Sequence, residues 1–325
     1  MAALPNAFTV TRLLLTGGTG FLGSHLAEAF VGAGYDVVAS VRATSDTRWL
    51  DPLGVETTTI DLGRAEEADL TRLLESVDSV VHCGGLTRAR RETEFMAVNA
   101  IGTECLARAA ERAGVRRFVF ISSLAARGPD GAGAPESPYG RSKAEAERRL
   151  SKVAKRMEAV VLRPGGVYGP RDSDLLPMFE MAAKGWVVVP RNAPPLQPVY
   201  VSDVVAATVA AVTADPPEGP LPIAHGETHT WLRLAKALAD AVGRPGRVVP
   251  VPPGVFWAAG LVSEIWCAAV RKTPAMDRRK ARDLSRNRWT CDITGTQRSL
   301  AWSAEVDIGE GLAKTAAWYR ESGWL

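Results

Sequence analysis

Tyr139 and Lys143 stand four residues apart in the stretch SPYGRSK, Ser137 to Lys143. Residues at i and i+4 share one face of a helix. A phenol, with a reference pKa of about 10, exchanges protons poorly near neutral pH. An ammonium one helical turn away favours the phenolate and lowers that value. The spacing therefore fits a tuned proton acid or an ordinary exposed pair, and the rest of the chain must decide between them.

A second group of residues bears on the choice. TGGTGFLG, Thr16 to Gly23, places Gly17, Gly20 and Gly23 in GxxGxxG spacing directly after the apolar run RLLLT. The first glycine permits a tight turn, the second lets backbone approach a pyrophosphate, and the third lets helix and strand pack closely. The helix that follows presents free N–H groups and its positive dipole end to an anion. Between a strand and a helix, this pattern marks a dinucleotide cradle, with Thr19, Phe21 and Leu22 as its remaining contacts. A site that prefers NAD usually has an acid at the end of the second strand, bonding a ribose hydroxyl. The stretch YDVVASVRATSD has Val41 at that place, followed by Arg42. A guanidinium fork suits a 2′-phosphate. The expected cofactor is NADP, with NAD as the alternative. Asp61 and Leu62, after the third strand, are expected to bond the adenine amino group and to cover its face.

The elements that must position these residues alternate. RLLLT is followed by FLGSHLAEAFVGAG, DVVASV, ETTTI, EADLTRLLES and DSVVHC, and later by RFVFIS, YGRSKAEAERRLSKVAKR and AVVLRP. Strand, helix, strand recurs, which predicts an α/β fold: a Rossmann-type doubly wound parallel sheet with helices on both faces. RFVFIS and AVVLR are nearly continuous apolar runs, as strands covered on both faces require. After Arg163, prolines cluster in VVVPRNAPPLQPVY, ADPPEGPLP and VPVPPG, and mark loops and short elements. Residues 1–163 are expected to bind the cofactor, with a return to the sheet as strand and helix at about 196–224. Residues 164–325 form a smaller, mainly substrate-binding region.

Composition sets the outer bounds. The 325 residues are 46% hydrophobic and 23% charged, an ordinary globular balance. A net charge of +3 gives no argument for nucleic acid as a partner. Cys83, Cys105, Cys267 and Cys291 form no CxxC pair, which points to reduced thiols in a cytoplasmic protein without a zinc site. His225 and His229 in HGETH lack a surrounding metal pattern, so no metal is expected. The opening MAALPNAFTVTRLLLTGG reads as the approach to a first strand and not as a signal peptide. PGVFWAAGLVSEIWCAAV, Pro253 to Val270, is too short to span a bilayer and is interrupted by Glu264. With the basic run after it, it reads as a buried helix beside a solvated face or as an interfacial helix making peripheral membrane contact.

The cradle, Asp61-Leu62, the paired serines of FVFISS and YGRSK together resemble the extended short-chain dehydrogenase/reductase family, also described as NAD(P)-dependent epimerase/dehydratases. The resemblance runs from about Arg12 to Asp203 and continues more weakly beyond. It implies a catalytic set of Ser123, Tyr139 and Lys143. Tyr139 would move the proton, Ser123 would bond the carbonyl oxygen, and Lys143 would bond the nicotinamide ribose as well as tune the phenol. Ser122 would contact the cofactor or brace the loop. LRPGGVYGPRD looks like the family's strand exit, where Pro164 lines the nicotinamide. VNAIGTECLARAA looks like its helix beginning with an asparagine, Asn99. The sequence departs from the pattern at Arg127, often tyrosine, and at HCGG, His82 to Gly85, often HLAA.

The implied activity is an NADP-dependent reductase or alcohol dehydrogenase acting on an apolar or amphipathic small molecule, β-keto acyl, sterol-like or polyketide-like. Trp257 and Trp266, within a segment from about Pro252 to Trp289, would wall its pocket. A nucleotide-sugar epimerase using bound NAD is the alternative, with Arg171 meeting a substrate diphosphate. A non-catalytic cofactor sensor is the third reading. The family's habit also implies a homodimer through the helices Glu92 to Ala113 and Tyr139 to Arg156.

Overall fold

The computed structural model describes residues 11–129, 134–244, 246–255, 257–258, 260–261 and 288–325. The first strands are β1 (Arg12–Thr16), β2 (Asp36–Val41), β3 (Glu56–Thr59), β4 (Ser79–His82), β5 (Arg117–Ile121) and β6 (Glu158–Pro164). Later come β7 (Val167–Tyr168), β8 (Trp186–Pro190), β9 (Val199–Tyr200), β10 (Leu221–Ile223) and β11 (Arg247–Val251). Seven of them form one parallel sheet in the order β10-β6-β5-β4-β1-β2-β3. The order reverses between β1 and β4, and a crevice opens outside the carboxyl ends of strands at such a point.

The triple leucine of RLLLT follows from coverage on both faces. Leu13 and Leu15 face a cluster with Leu26 and Phe30 of α1 (Phe21–Gly32) and Val204 and Ala207 of α7 (Val201–Thr213). Leu14 points the other way, toward Leu70 of α2 (Glu67–Leu73), Leu106 of α4 (Thr103–Ala113) and Leu150 of α5 (Pro138–Val153). Successive strand side chains take opposite faces, so with both faces covered all three leucines are buried. Each such leucine, wholly buried here, contributes about 1.5–3 kcal/mol on leaving water.

A third cluster lies beyond the main sheet. It joins Phe179 of α6 (Leu176–Ala183), Val187 and Val189 of β8, Leu234 of α8 (Trp231–Ala241), and Leu312 and Tyr319 of a C-terminal helix, Ile308–Glu321. In this proline-rich half, β8 pairs in parallel with β11.

Three expectations need correction. The return to the sheet is made by α7 and β10, because β9 is a two-residue strand paired with β7. Asn99 does not begin a helix. It lies in a π-helical turn, Met96–Gly102, between α3 (Glu92–Phe95) and α4. Helix α5 ends at Val153, so Ala154, Lys155 and Arg156 lie beyond it. Most of the apolar segment and basic run of 253–287 falls outside the described residues, and with it the interfacial-helix reading and Trp266. Among the described residues, no helix is long and apolar enough to cross a membrane.

Candidate active site

A cavity of about 550 Å³ opens at the carboxyl ends of β1 and β4. Its walls include Gly17, Thr19, Gly20, Phe21, Leu22 and Gly23 of the cradle, then Arg42, Asp61 and Leu62. Ser122, Ser123, Tyr139, Lys143 and Pro164 line it as well. The residues singled out in sequence thus share one space. Cys83, Gly84, Gly85, Leu86 and the loop Asp172-Ser173-Asp174 join them. Of these, Gly84 and Gly85 belong to HCGG, where paired glycines let backbone approach a cofactor closely; Leu86 and the 172–174 loop gave no signal in sequence.

The cradle fits a dinucleotide by what it excludes. Gly17 has φ +74°, and a Cβ there would lie 2.7 Å from the Gly84 nitrogen. A Cβ on Gly23 would lie 2.0 Å from the Gly17 carbonyl oxygen. Any side chain would fill the seat or drive the α1 N-terminus off β1. At the far end, Val41 is buried and no acid closes β2. Arg42 is exposed in a turn, its backbone N–H donating to Ser45 Oγ at 3.0 Å.

Helix α5 is built to start where it does. Ser137 caps it, accepting from Gly140 N at 3.0 Å, and Pro138 fills the first turn, where a missing N–H costs nothing. Tyr139 therefore projects from the first turn, and Lys143 lies one turn below, 5% exposed. Gly140 lets the helix approach the 3₁₀ turn Leu124–Arg127, because a Cβ there would lie 2.4 Å from the Ala125 carbonyl oxygen. That contact brings Tyr139 toward Ser123, and both side chains line the cavity.

The electrostatics run against the simple expectation from spacing. Burial pushes the Tyr139 phenol up to about 12, and the Ser123 side chain only partly offsets it. Burial also pushes Lys143 down to about 8, opposed by Cys83 and Glu147. The Lys143 ammonium donates to the Ile121 carbonyl oxygen at 2.8 Å and sits 4.8 Å above the Phe120 ring. In the protein alone, desolvation is the largest influence on both groups.

Surrounding residues are committed to bracing. Ser122 Oγ donates to the Glu147 carboxylate, which also takes Arg163 Nε at 2.9 Å. Asn99 grips Leu86 with both ends of its amide: Oδ1 accepts from Leu86 N at 2.7 Å, and Nδ2 donates to Leu86 O at 3.0 Å. Arg88 and Asp174 form an ion pair between two loops that border the cavity. Arg127 Nη2 donates to the Thr290 carbonyl oxygen at 2.8 Å.

Arg171 does not line the cavity. Its guanidinium stacks 4.2 Å from the Trp49 ring and pairs with Glu28 at 2.5 Å. Described residues of the Pro252 to Trp289 segment do not line it either. Trp302 is core, 7% exposed, with Nε1 donating to Asp203 O at 2.9 Å. His225 and His229 stack with centroids 5.9 Å apart, and the described residues hold no group of three or more side chains able to bind a metal.

A doubly wound parallel sheet with a glycine cradle at its switch point defines a Rossmann-type α/β protein. The model for the NAD dependent epimerase/dehydratase family matches residues 13–223, and the chain belongs to that family of NAD(P)-dependent enzymes. It is 31% identical to the ceramide reductase of Caulobacter vibrioides over 315 residues, 96% of this chain and 95% of that one. It is 28% identical to the UDP-glucose 4-epimerase of Vibrio cholerae, across 94% of both. A Thermotoga maritima UDP-glucose 4-epimerase structure with UDP-glucose superposes with a TM-score of 0.79 at 23% identity, covering 96% and 99%.

Proposed function

We propose that the protein is an NADP-dependent reductase of a carbonyl on an apolar or amphipathic molecule, a ceramide-like or β-keto acyl lipid. The observation that carries this reading is the convergence of Ser123, Tyr139 and Lys143 on the cavity that also contains the glycine cradle. Residues 1–163, with the return at 196–224, would hold the cofactor, and 164–325 mainly the substrate. The cofactor, when bound, supplies the hydride and, once oxidised, a positive charge. Tyr139 gives a proton to the carbonyl oxygen, Ser123 orients that oxygen, and Lys143 holds the ribose and favours the phenolate.

Likeness to a ceramide reductase supports a lipid carbonyl. The engagement of Arg171 by Trp49 and Glu28 leaves a sugar diphosphate without that cation. The test is oxidation of NADPH with a panel of long-chain ketones, set against isomerisation of UDP-sugars. Saturable turnover of a UDP-sugar, with no turnover of ketones, would replace this reading with the epimerase.

Arg42 is proposed to select NADP. An Arg–phosphate contact contributes about 1.5–3 kcal/mol, roughly 10- to 150-fold in Kd. Arg42→Ala is expected to weaken NADP binding by that factor and leave NAD binding unchanged, as read by fluorescence titration. Equal affinities for both cofactors in the unmodified protein would contradict the assignment.

We also propose a cytoplasmic homodimer. Cys83, Cys105 and Cys291 are free thiols, which suits a reducing compartment. The face shared by the π turn and α5 has a depression lined by Met96, Ala100, Ala144 and Ile101, the last 48% exposed, together with charged residues of α5 such as Arg141 and Arg148. Sedimentation is expected to give two chains, and Ile101→Lys one. An unmodified protein that sediments as one chain would refute this.

A further inference from the structure

His82 ends β4, is 1% exposed, and has both ring nitrogens bonded. Nδ1 lies 2.6 Å from Thr16 Oγ1, and Nε2 lies 2.8 Å from Thr103 Oγ1. Neighbouring bonds fix the direction of each. Thr103 spends its proton on the Asn99 carbonyl oxygen at 2.6 Å, so His82 Nε2 must donate to it. In a neutral ring Nδ1 is then the acceptor and takes the Thr16 proton. Thr16 Oγ1 in turn accepts from Gly84 N at 3.0 Å.

The two ends of this chain reach the two halves of the site. Thr16 immediately precedes Gly17, and a Cβ on Gly84 would lie 2.9 Å from Thr16 Oγ1. At the other end, Asn99 holds Leu86 and donates to Ser142 Oγ at 2.9 Å, and Ser142 donates to the Tyr139 carbonyl oxygen at 2.7 Å. The imidazole also stacks on Phe120, centroids 5.4 Å apart and planes 19° apart, and the same ring carries the Lys143 ammonium.

We propose that His82 is a positioning residue: as the neutral Nε2–H tautomer it registers the cofactor cradle against the helix that carries Tyr139 and Lys143. It touches neither cofactor nor substrate, and the inference rests on the reading of that cavity as a cofactor site. Burial and the nearby Lys143 charge hold the imidazole neutral, pushing its pKa down to about 3. A cation there would also have two donors and no acceptor, which breaks the Thr16 bond as drawn.

Four variants separate the two ends. His82→Asn keeps an acceptor for Thr16 and drops the Thr103 bond, and Thr103→Val removes that bond isosterically. His82→Gln keeps a donor for Thr103 and drops the Thr16 bond, as Thr16→Val does. The readouts are the NADPH Kd by fluorescence and hydrogen exchange of the Leu86 amide, at a temperature where every variant is folded.

His82→Gln and Thr16→Val are expected to raise the Kd about tenfold and leave Leu86 exchange unchanged. His82→Asn and Thr103→Val are expected to speed Leu86 exchange about tenfold, lower turnover, and leave the Kd within about twofold. Unchanged values in all four, or equal losses in both readouts for all four, would overturn the proposal by reducing His82 to packing. Failure of the unmodified protein to bind NADP(H) would sink the cofactor reading instead, while the Leu86 measurement would still judge the chain.

Discussion

Tyr139→Phe is expected to lower turnover by about 10²–10⁴-fold while the fold and cofactor binding persist. The substitution removes one oxygen. The ring keeps its edge contact with Phe95, centroids 6.2 Å apart, and the backbone oxygen keeps its bond from Ser142. In the protein alone the phenol sits at about 12. For alcohol oxidation Tyr139 must act as a base, so the rate rises with pH through its pKa. With an oxidised nicotinamide and Lys143 both favouring the phenolate, that rise is expected well below pH 12. Lys143→Ala should move it upward and weaken cofactor binding as well. Undiminished turnover by Tyr139→Phe would return the residue to the rank of an ordinary helical tyrosine.

Gly140→Ala has the second largest expected effect, and there two principles predict opposite signs. Alanine improves a helix over glycine by about 0.8–1 kcal/mol, so propensity alone predicts stabilisation. The added Cβ, however, would lie 2.4 Å from the Ala125 carbonyl oxygen and 3.1 Å from its carbon, both backbone atoms. Forcing an extra carbon into such a contact costs about 1–3 kcal/mol, which overtakes the gain. Relief requires the α5 N-terminus to back away from the turn behind Ser123. A shift of about 1 Å at a catalytic group can cost 10²-fold. A fall in turnover of that order is expected, with a lower melting temperature and an NADPH Kd that rises far less than turnover falls, because the cradle lies on another element and only the Lys143 contact moves with α5. A variant that is more stable and fully active would show that helix and turn can part without consequence.

Much of this was legible along the chain, for local reasons. Strands β1 and β5 show as apolar runs because both faces of each are covered. The cradle shows because a glycine requirement is set by the backbone of its own turn. Strand β10 lay hidden in ADPPEGPLPI, since a three-residue edge strand has no run to display. The direction of the Tyr139 shift could not be read either. Spacing places the ammonium one turn away, but burial depends on what the fold stacks around the pair. The His82 bonds join residues 66 and 21 positions apart, a relation that no local pattern carries.

The position of β10 has a consequence for how the chain is made. Leu221–Ile223 supplies the last neighbour of β6, pairing Leu221 with Leu162 and Ile223 with Pro164. Its own outer side is then closed by Pro222, which has no N–H and whose carbonyl takes the Thr296 hydroxyl at 2.7 Å. During synthesis β6 emerges well before its partner. At about 5–20 residues per second the interval between Pro164 and Leu221 lasts several seconds. For that time the nascent chain carries an apolar, unpaired strand edge, and the part of the protein that holds the cofactor cradle cannot be finished until most of the polypeptide has left the ribosome.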